Sequence, residues 1–188
     1  MILLLGGARA GKSAHAMRLA QEGERASGDE VCFIATAQGL DDDMTARIAR
    51  HRSERPTQWR TIEEPYQIDE ALRYASSTGI VIVDCLTLFV SNWLLRYEDE
   101  HICEQILSHI AGEFLRLAKT QKQTVICISN EVGLGIVPDN RIGRVFRDLL
   151  GRVNQDFAAA ADEVYLLVAG LPLQLKPIAE AFLTPIKQ

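Results

Sequence analysis

At 188 residues the chain has the length of one α/β domain with an ample core, and 47% hydrophobic with 24% charged residues exclude a disordered or fibrous protein. A net charge of -5 and a pI near 5.4 argue against a general nucleic-acid or acidic-membrane surface. No apolar run approaches the ~20 residues that span a bilayer and no secretory signal opens the chain, so no membrane span and a cytoplasmic location are expected.

The apolar run Ile2 to Leu5 predicts a buried parallel strand, and it empties into G-x-x-x-x-G-K-S. That spacing is a phosphate-binding P-loop. Gly6, Gly7 and Gly11 are expected to take positive φ, so that backbone N–H groups, those of Ala8, Arg9 and Ala10 included, face phosphate oxygens. Lys12 is expected to reach the β- and γ-phosphates, and Ser13 to ligate Mg²⁺ where a helix over Ala14 to Gln21 begins. The segment Gly23 to Asp29 is polar and reads as the break before a second buried strand, Val31 to Thr36. Thr36 and Gln38 then border the crevice where doubly wound sheets bind ligands, unless Thr36 serves only to end the strand.

Asp41-Asp42-Asp43 opens a helix through Arg52, with acids at its start and arginines toward its end as the helix dipole prefers. It carries His51. Arg47, Arg50, Arg52, Arg55 and Arg60 lie within fourteen residues, which fits either an anion-binding surface near the P-loop or a charged, solvated helix. Gln67 to Ser76 reads as a short helix. Ile80 to Asp84 is a hydrophobic strand ending in a carboxylate, the Walker B arrangement that holds the Mg²⁺ of the P-loop serine. Leu86 to Leu95 predicts an apolar helix, and a longer one carrying His101 and His109 runs to Lys119.

Thr124 to Ser129 is the fourth strand, followed by the glycine-bearing loop Asn130 to Pro138 at the crevice. A long amphipathic helix begins at Asp139, with Ile142, Val145, Phe146, Leu149, Leu150, Val153 and Phe157 on one face and Arg141, Arg144 and Arg147 on another. Glu163 to Ala169 supplies a fifth strand, and Leu171 to Pro177 finishes the domain before a tail with no assignable structure. Cys32, Cys85 and Cys127 sit in strand-like runs and Cys103 in a helical one, with no C-x-x-C spacing, so buried free thiols are expected.

Several stretches taken together resemble one family, the bifunctional adenosylcobinamide kinase / adenosylcobinamide-phosphate guanylyltransferase of cobalamin biosynthesis. They are Gly6 to Ser13, Ile34 to Ala37, Arg47-Ile48 with His51 and Arg55-Pro56, Trp59 to Thr61, Asn130 to Pro138, Gly151 to Gln155 and Ala160 to Val164. Ala10 stands where the family often has Ser, Asp84 where some members have Glu, and Arg50 where some carry a second histidine. The resemblance covers residues 1 to about 176.

It implies a single RecA-like P-loop domain over 1–188, with a mostly parallel sheet flanked by helices, assembling as a homotrimer with the guanylyl helix near a subunit boundary. The implied chemistry is phosphorylation of the aminopropanol hydroxyl of adenosylcobinamide by ATP or GTP, then transfer of GMP from GTP to that phosphate through a guanylyl-histidine. The corrinoid and the nucleotides would be the partners, with Mg²⁺ as cofactor and no nucleic acid. By resemblance the histidine is His51, with Lys12 catalytic beside it, and the nucleotide contacts extend from the P-loop through Thr36, Ala37, Gln38, Arg52, Ser53, Glu54, Arg55, Glu63 and Asp84. An imidazole can attack phosphorus without prior deprotonation and splits one hard step into two. A simple small-molecule kinase would leave His51 idle. A regulatory GTP switch would need an N-K-x-D guanine-reading loop, and Asn130-Glu131-Val132-Gly133 is not one.

Overall fold

In the computed structural model, which describes residues 1–97 and 99–177, the elements run β1 (Ile2–Gly6), α1 (Lys12–Ser27), β2 (Val31–Ala35), α2 (Asp42–Ser53), β3 (Arg60–Glu63), α3 (Ile68–Tyr74) and β4 (Ile80–Asp84). They continue α4 (Leu86–Arg96), α5 (Glu100–Thr120), β5 (Thr124–Ile128), α6 (Arg141–Ala160), β6 (Glu163–Val168) and β7 (Leu171–Lys176). All seven strands form one sheet in the order β3-β2-β4-β5-β1-β6-β7, parallel except for β7. The tail 178–188 lies outside the described residues.

Because the inner strands are covered on both faces, they read as unbroken apolar runs, and alternate residues serve opposite layers. Leu3, Ile34, Val81, Val83 and Val125 pack beneath α3, α4, α5 and α6. Leu4, Phe33, Ile82 and Ile126 face the other way, onto Ala16 and Ala20 of α1 and the indole of Trp59. The two layers are unequal. Four helices cover the first, whereas α1 and Trp59 cover the second, and α2 buries none of its residues.

Three expectations change. The first helix does not stop at Gln21 but runs through Gly23 to Ser27, capped by Gly28 at φ 75. A Cβ on Gly23 would lie 2.8 Å from Cδ1 of Ile80, so this glycine permits close helix-to-sheet approach rather than a break. The sheet has two further strands. Arg60–Glu63 pairs with β2, and Leu171–Lys176 turns back along β6 through Ala169 (φ 51) and Gly170 (φ 82). Ile142 is 53% exposed and does not share the buried face of α6 with Leu149, Leu150, Val153 and Phe157.

Parallel pairing brings the carboxyl ends of β1, β2, β4 and β5 to one edge of the sheet. The P-loop after β1 and Asp84 at the end of β4 meet there.

Candidate active site at the carboxyl edge of the sheet

The P-loop leaves β1 at Gly6, where φ is 152 and a Cβ would come 2.5 Å from the Leu167 carbonyl oxygen, so any side chain would force β6 away. Gly11 has φ 93, as expected. Gly7 does not take a positive φ; Arg9 does instead, at 57, placing a non-glycine residue in the left-handed region at the crown of the loop. Ala10 contributes backbone. Its carbonyl accepts from Gly170 N–H (3.0 Å), tying the loop to the β6–β7 turn.

Lys12 is 8% exposed and donates to the carbonyls of Gly6 (3.0 Å) and Gly7 (2.7 Å). Burial holds its ammonium below the ordinary lysine value, against the pull of Asp84. One residue on, the Ser13 hydroxyl donates to Oδ2 of Asp84 at 3.0 Å, so the P-loop serine and the strand-end carboxylate are neighbours. Burial raises the Asp84 carboxyl above the usual range, opposed by that hydrogen bond and by the nearby charges of Arg55 and Lys12. Two hard oxygen donors beside a phosphate cradle fit Mg²⁺, which takes one or two protein ligands and completes its shell from phosphates and water. Among the described residues no group of three or more His, Cys, Asp or Glu is arranged to hold a metal by itself.

Around this pair lies a cavity of about 680 Å³, within the usual range for small-molecule sites. It is lined by the P-loop residues Ala8, Arg9, Ala10, Gly11, Lys12 and Ser13, by Ala37 and Asp84, and by His51, Arg52, Glu54, Arg55 and Glu63. Arg47 and Arg50 line it too, whereas Arg60 starts β3 at the far end of the sheet and donates to the Tyr74 carbonyl (3.4 Å). The anion-binding reading of the arginines therefore applies to four of them and not to Arg60.

Arg55 is the best anchored. Its guanidinium carbon lies 3.7 Å above the centroid of Phe33, its Nε is buried with no hydrogen-bond partner, and burial draws its basicity down. Arg52 pairs with Glu63 at 3.3 Å, both exposed. Behind them Trp59 donates to Glu24 (3.2 Å), fastening the segment after α2 to α1. Asp41 caps α2, accepting from Met44 N–H at 2.6 Å, so the acidic run is a helix start.

Other expected contacts are placed differently. Thr36 is fully buried, and its hydroxyl both donates to the Cys85 carbonyl (2.8 Å) and accepts from Cys85 N–H (2.7 Å). It clasps β2 to β4, as the strand-end reading expects, and Thr36 is not among the residues that line the cavity. Gln38 and Ser53 stand outside the cavity wall; the Ser53 hydroxyl is used on the Arg50 carbonyl (2.8 Å). Gly6 and Gly7 act through the carbonyls that hold Lys12.

Sequence reasoning passed over Cys85 and Leu88 and placed Asn130 only in a crevice loop, with no contact assigned; all three line the cavity. The signal was available, since Cys85 and Asn130 each follow closely on a strand's carboxyl end. Burial beside Asp84 pushes the Cys85 thiol up to about 11, so it stays protonated. Asn130 is held by a closed polar network. Its N–H donates to Thr87 Oγ1 (2.8 Å), its carbonyl accepts from Asn154 (3.0 Å), and Ser129 donates to the other end of the Asn154 amide (2.6 Å).

A family model described as "Cobinamide kinase / cobinamide phosphate guanyltransferase" matches residues 2–175. The "Bifunctional adenosylcobalamin biosynthesis protein CobU" of Escherichia coli (strain K12) is 40% identical over 185 residues, covering 94% of this chain and 99% of that protein. The "Bifunctional adenosylcobalamin biosynthesis protein CobP" of Pseudomonas aeruginosa is 42% identical over 177 residues, covering 93% and 96%. Among solved structures, flagellar accessory protein FlaH from Methanocaldococcus jannaschii superposes with a TM-score of 0.54 over 93% of this chain and 77% of its own, at 15% identity, which speaks to the fold alone. With the P-loop, the strand-end carboxylate and the histidine helix all inside the matched span, the chain belongs to the cobinamide kinase / cobinamide phosphate guanyltransferase family.

Proposed function

We propose that this chain carries out both reactions of its family at the one cavity. In the first, the hydroxyl oxygen of adenosylcobinamide attacks the γ-phosphorus of ATP or GTP, the bond to the β-phosphate oxygen breaks, and the hydroxyl proton is released. In the second, an imidazole nitrogen of His51 attacks the α-phosphorus of GTP and pyrophosphate leaves. The phosphate of adenosylcobinamide phosphate then attacks the same phosphorus, the P–N bond breaks, and adenosyl-GDP-cobinamide departs with His51 restored.

The observation that carries this reading is that His51 and four arginines line the same cavity as Lys12, Ser13 and Asp84. Lys12 supplies charge to the triphosphate, and Arg47, Arg50, Arg52 and Arg55 offer donors to an anion whose charge grows as pyrophosphate leaves. Ser13 and Asp84 would hold Mg²⁺, which when bound neutralises phosphate charge. Ala37, Glu54 and Glu63 complete the nucleotide's surroundings. The family resemblance adds a cytoplasmic homotrimer, with α2 near a subunit boundary; light scattering reads that mass directly. No helix among the described residues is long and apolar enough to cross a membrane.

Labelled GTP tests the nucleophile. Label on the α-phosphate should remain with the protein and label on the γ-phosphate should not, and the adduct should be lost in acid yet survive in base, as a P–N bond does. His51→Ala should abolish labelling, because the flanking Arg50 and Arg52 stay protonated and cannot attack. Label persisting in that variant, on His15, His101 or His109, would move the nucleophile off α2.

A further inference from the structure

The loop between β5 and α6 displays large apolar side chains to solvent beside the cavity. Leu134 is 83% exposed, Ile136 96% and Val137 58%, and Ile142 at the start of α6 adds 53%. Single exposed leucines are ordinary, but four such residues within nine positions make a patch that calls for an occupant. The loop is fixed in place. Asn130 is held at both backbone groups, Glu131 N–H donates to the Gly6 carbonyl (3.2 Å), Gly133 N–H donates to the Glu131 carboxylate (2.6 Å), and Arg144 donates to the carbonyls of Pro138 (3.0 Å) and Asp139 (2.7 Å).

We infer that this lip seats the apolar face of the corrinoid acceptor while the acceptor's hydroxyl or phosphate reaches the P-loop cavity; the inference rests on the function proposed above. A nucleoside triphosphate occupies a cavity of about 680 Å³, so a macrocycle ringed with amide side chains must lie outside it. The loop is continuous with that cavity through Asn130, which belongs to both. Leu40, 69% exposed, follows Gly39, a cavity residue, and adds a further apolar side chain at the cavity's margin. Residues 133–137 carry no charge, whereas the acceptor's phosphate would meet the arginines deeper in. The other apolar row, Leu171, Leu173 and Leu175, lies on β7, the edge strand, with β1 and β6 between it and β5, the strand that leads into the lip. The lip is thus a determinant of acceptor recognition, separate from the residues that handle the nucleotide.

The test is equilibrium dialysis of adenosylcobinamide, followed by its own absorbance, against the full chain and a variant carrying Leu134→Asp and Ile136→Asp. Losing two buried apolar contacts should raise the dissociation constant by about tenfold or more. Covalent labelling by GTP alone, which needs no acceptor, should proceed as in the parent. Val137→Thr, which keeps the shape, should give a smaller loss in the same direction, and Tyr74→Asp, an exposed change at the opposite end of the sheet, none. Undiminished corrinoid binding by the double variant would overturn the inference. So would an equal loss from Tyr74→Asp, a parent that binds no corrinoid, or a double variant whose sedimentation shows a smaller assembly with corrinoid affinity intact, since the lip would then belong to a second copy. If the parent binds corrinoid but takes no label from GTP, the histidine reading falls and the dialysis result still decides the lip.

Discussion

Asp84 is asked to do two opposed things. Its folded pKa lies above the unfolded value because burial disfavours the carboxylate. The stability it contributes is therefore present below the unfolded pKa and lost as pH rises through the folded one. In metal-free protein at neutral pH, Asp84→Asn should raise Tm, and the gain should vanish in acid; calorimetry in chelator across pH reads this, and an unchanged Tm at neutral pH would refute it. The same variant should weaken Mg²⁺-dependent activity, since a neutral amide holds the ion beside Ser13 less tightly than a carboxylate does. Lys12→Ala should lower turnover in both half-reactions by roughly 10²-fold or more, the scale of removing one preorganised charge-stabilising donor. Near-normal turnover would remove the P-loop from the mechanism.

At the scale of elements, the β6–β7 turn is a buttress for the phosphate loop. A Cβ on Gly11 would meet Cα of Gly170 at 3.2 Å with φ at 93, so Gly11→Ala should destabilise by about 1–2 kcal/mol and weaken nucleotide binding together. Gly112, inside α5 with nothing near its Cβ position, should respond oppositely, Gly112→Ala stabilising by roughly 0.5–1 kcal/mol in chemical denaturation. The buried strands and the P-loop were legible in sequence because apolar runs and glycine spacing are local signals. β3 was not, being four residues at the sheet's edge with Arg60 and Glu63 exposed at its ends. β7 was hidden by Pro172 and by leucines that face solvent, although two apolar runs around Ala169-Gly170 are a hairpin signal that could have been used. Thr36 could not be assigned between its two readings, because its partner Cys85 is distant in sequence and the clasp exists only once β2 and β4 pair.

For the whole molecule, ligand binding should appear as stability. The cavity is assembled from the ends of β1, β2, β4 and β5 together with α2, so a nucleotide that fills it ties both sides of the sheet together. At about a hundred times its dissociation constant, GTP with Mg²⁺ should add roughly 2.7 kcal/mol, or about 5–10 °C in Tm for a chain of this size. Scanning calorimetry checks this, with Lys12→Ala as the variant that should not respond. Amide exchange within α2, which buries no residue, should be faster than within α5 and should slow when GTP is bound.

The pairing of the chain's first strand with one of its later ones also sets an order of events during synthesis. β1 gains its neighbours only when β5 and β6 exist, and the phosphate loop gains its support only when Gly170 arrives. A ribosome-bound chain therefore carries a complete P-loop sequence for most of its translation without a P-loop that can close on a nucleotide. GTP should be unable to accelerate the folding of these intermediates, and it should act on the chain only after release of the β6–β7 hairpin from the exit tunnel.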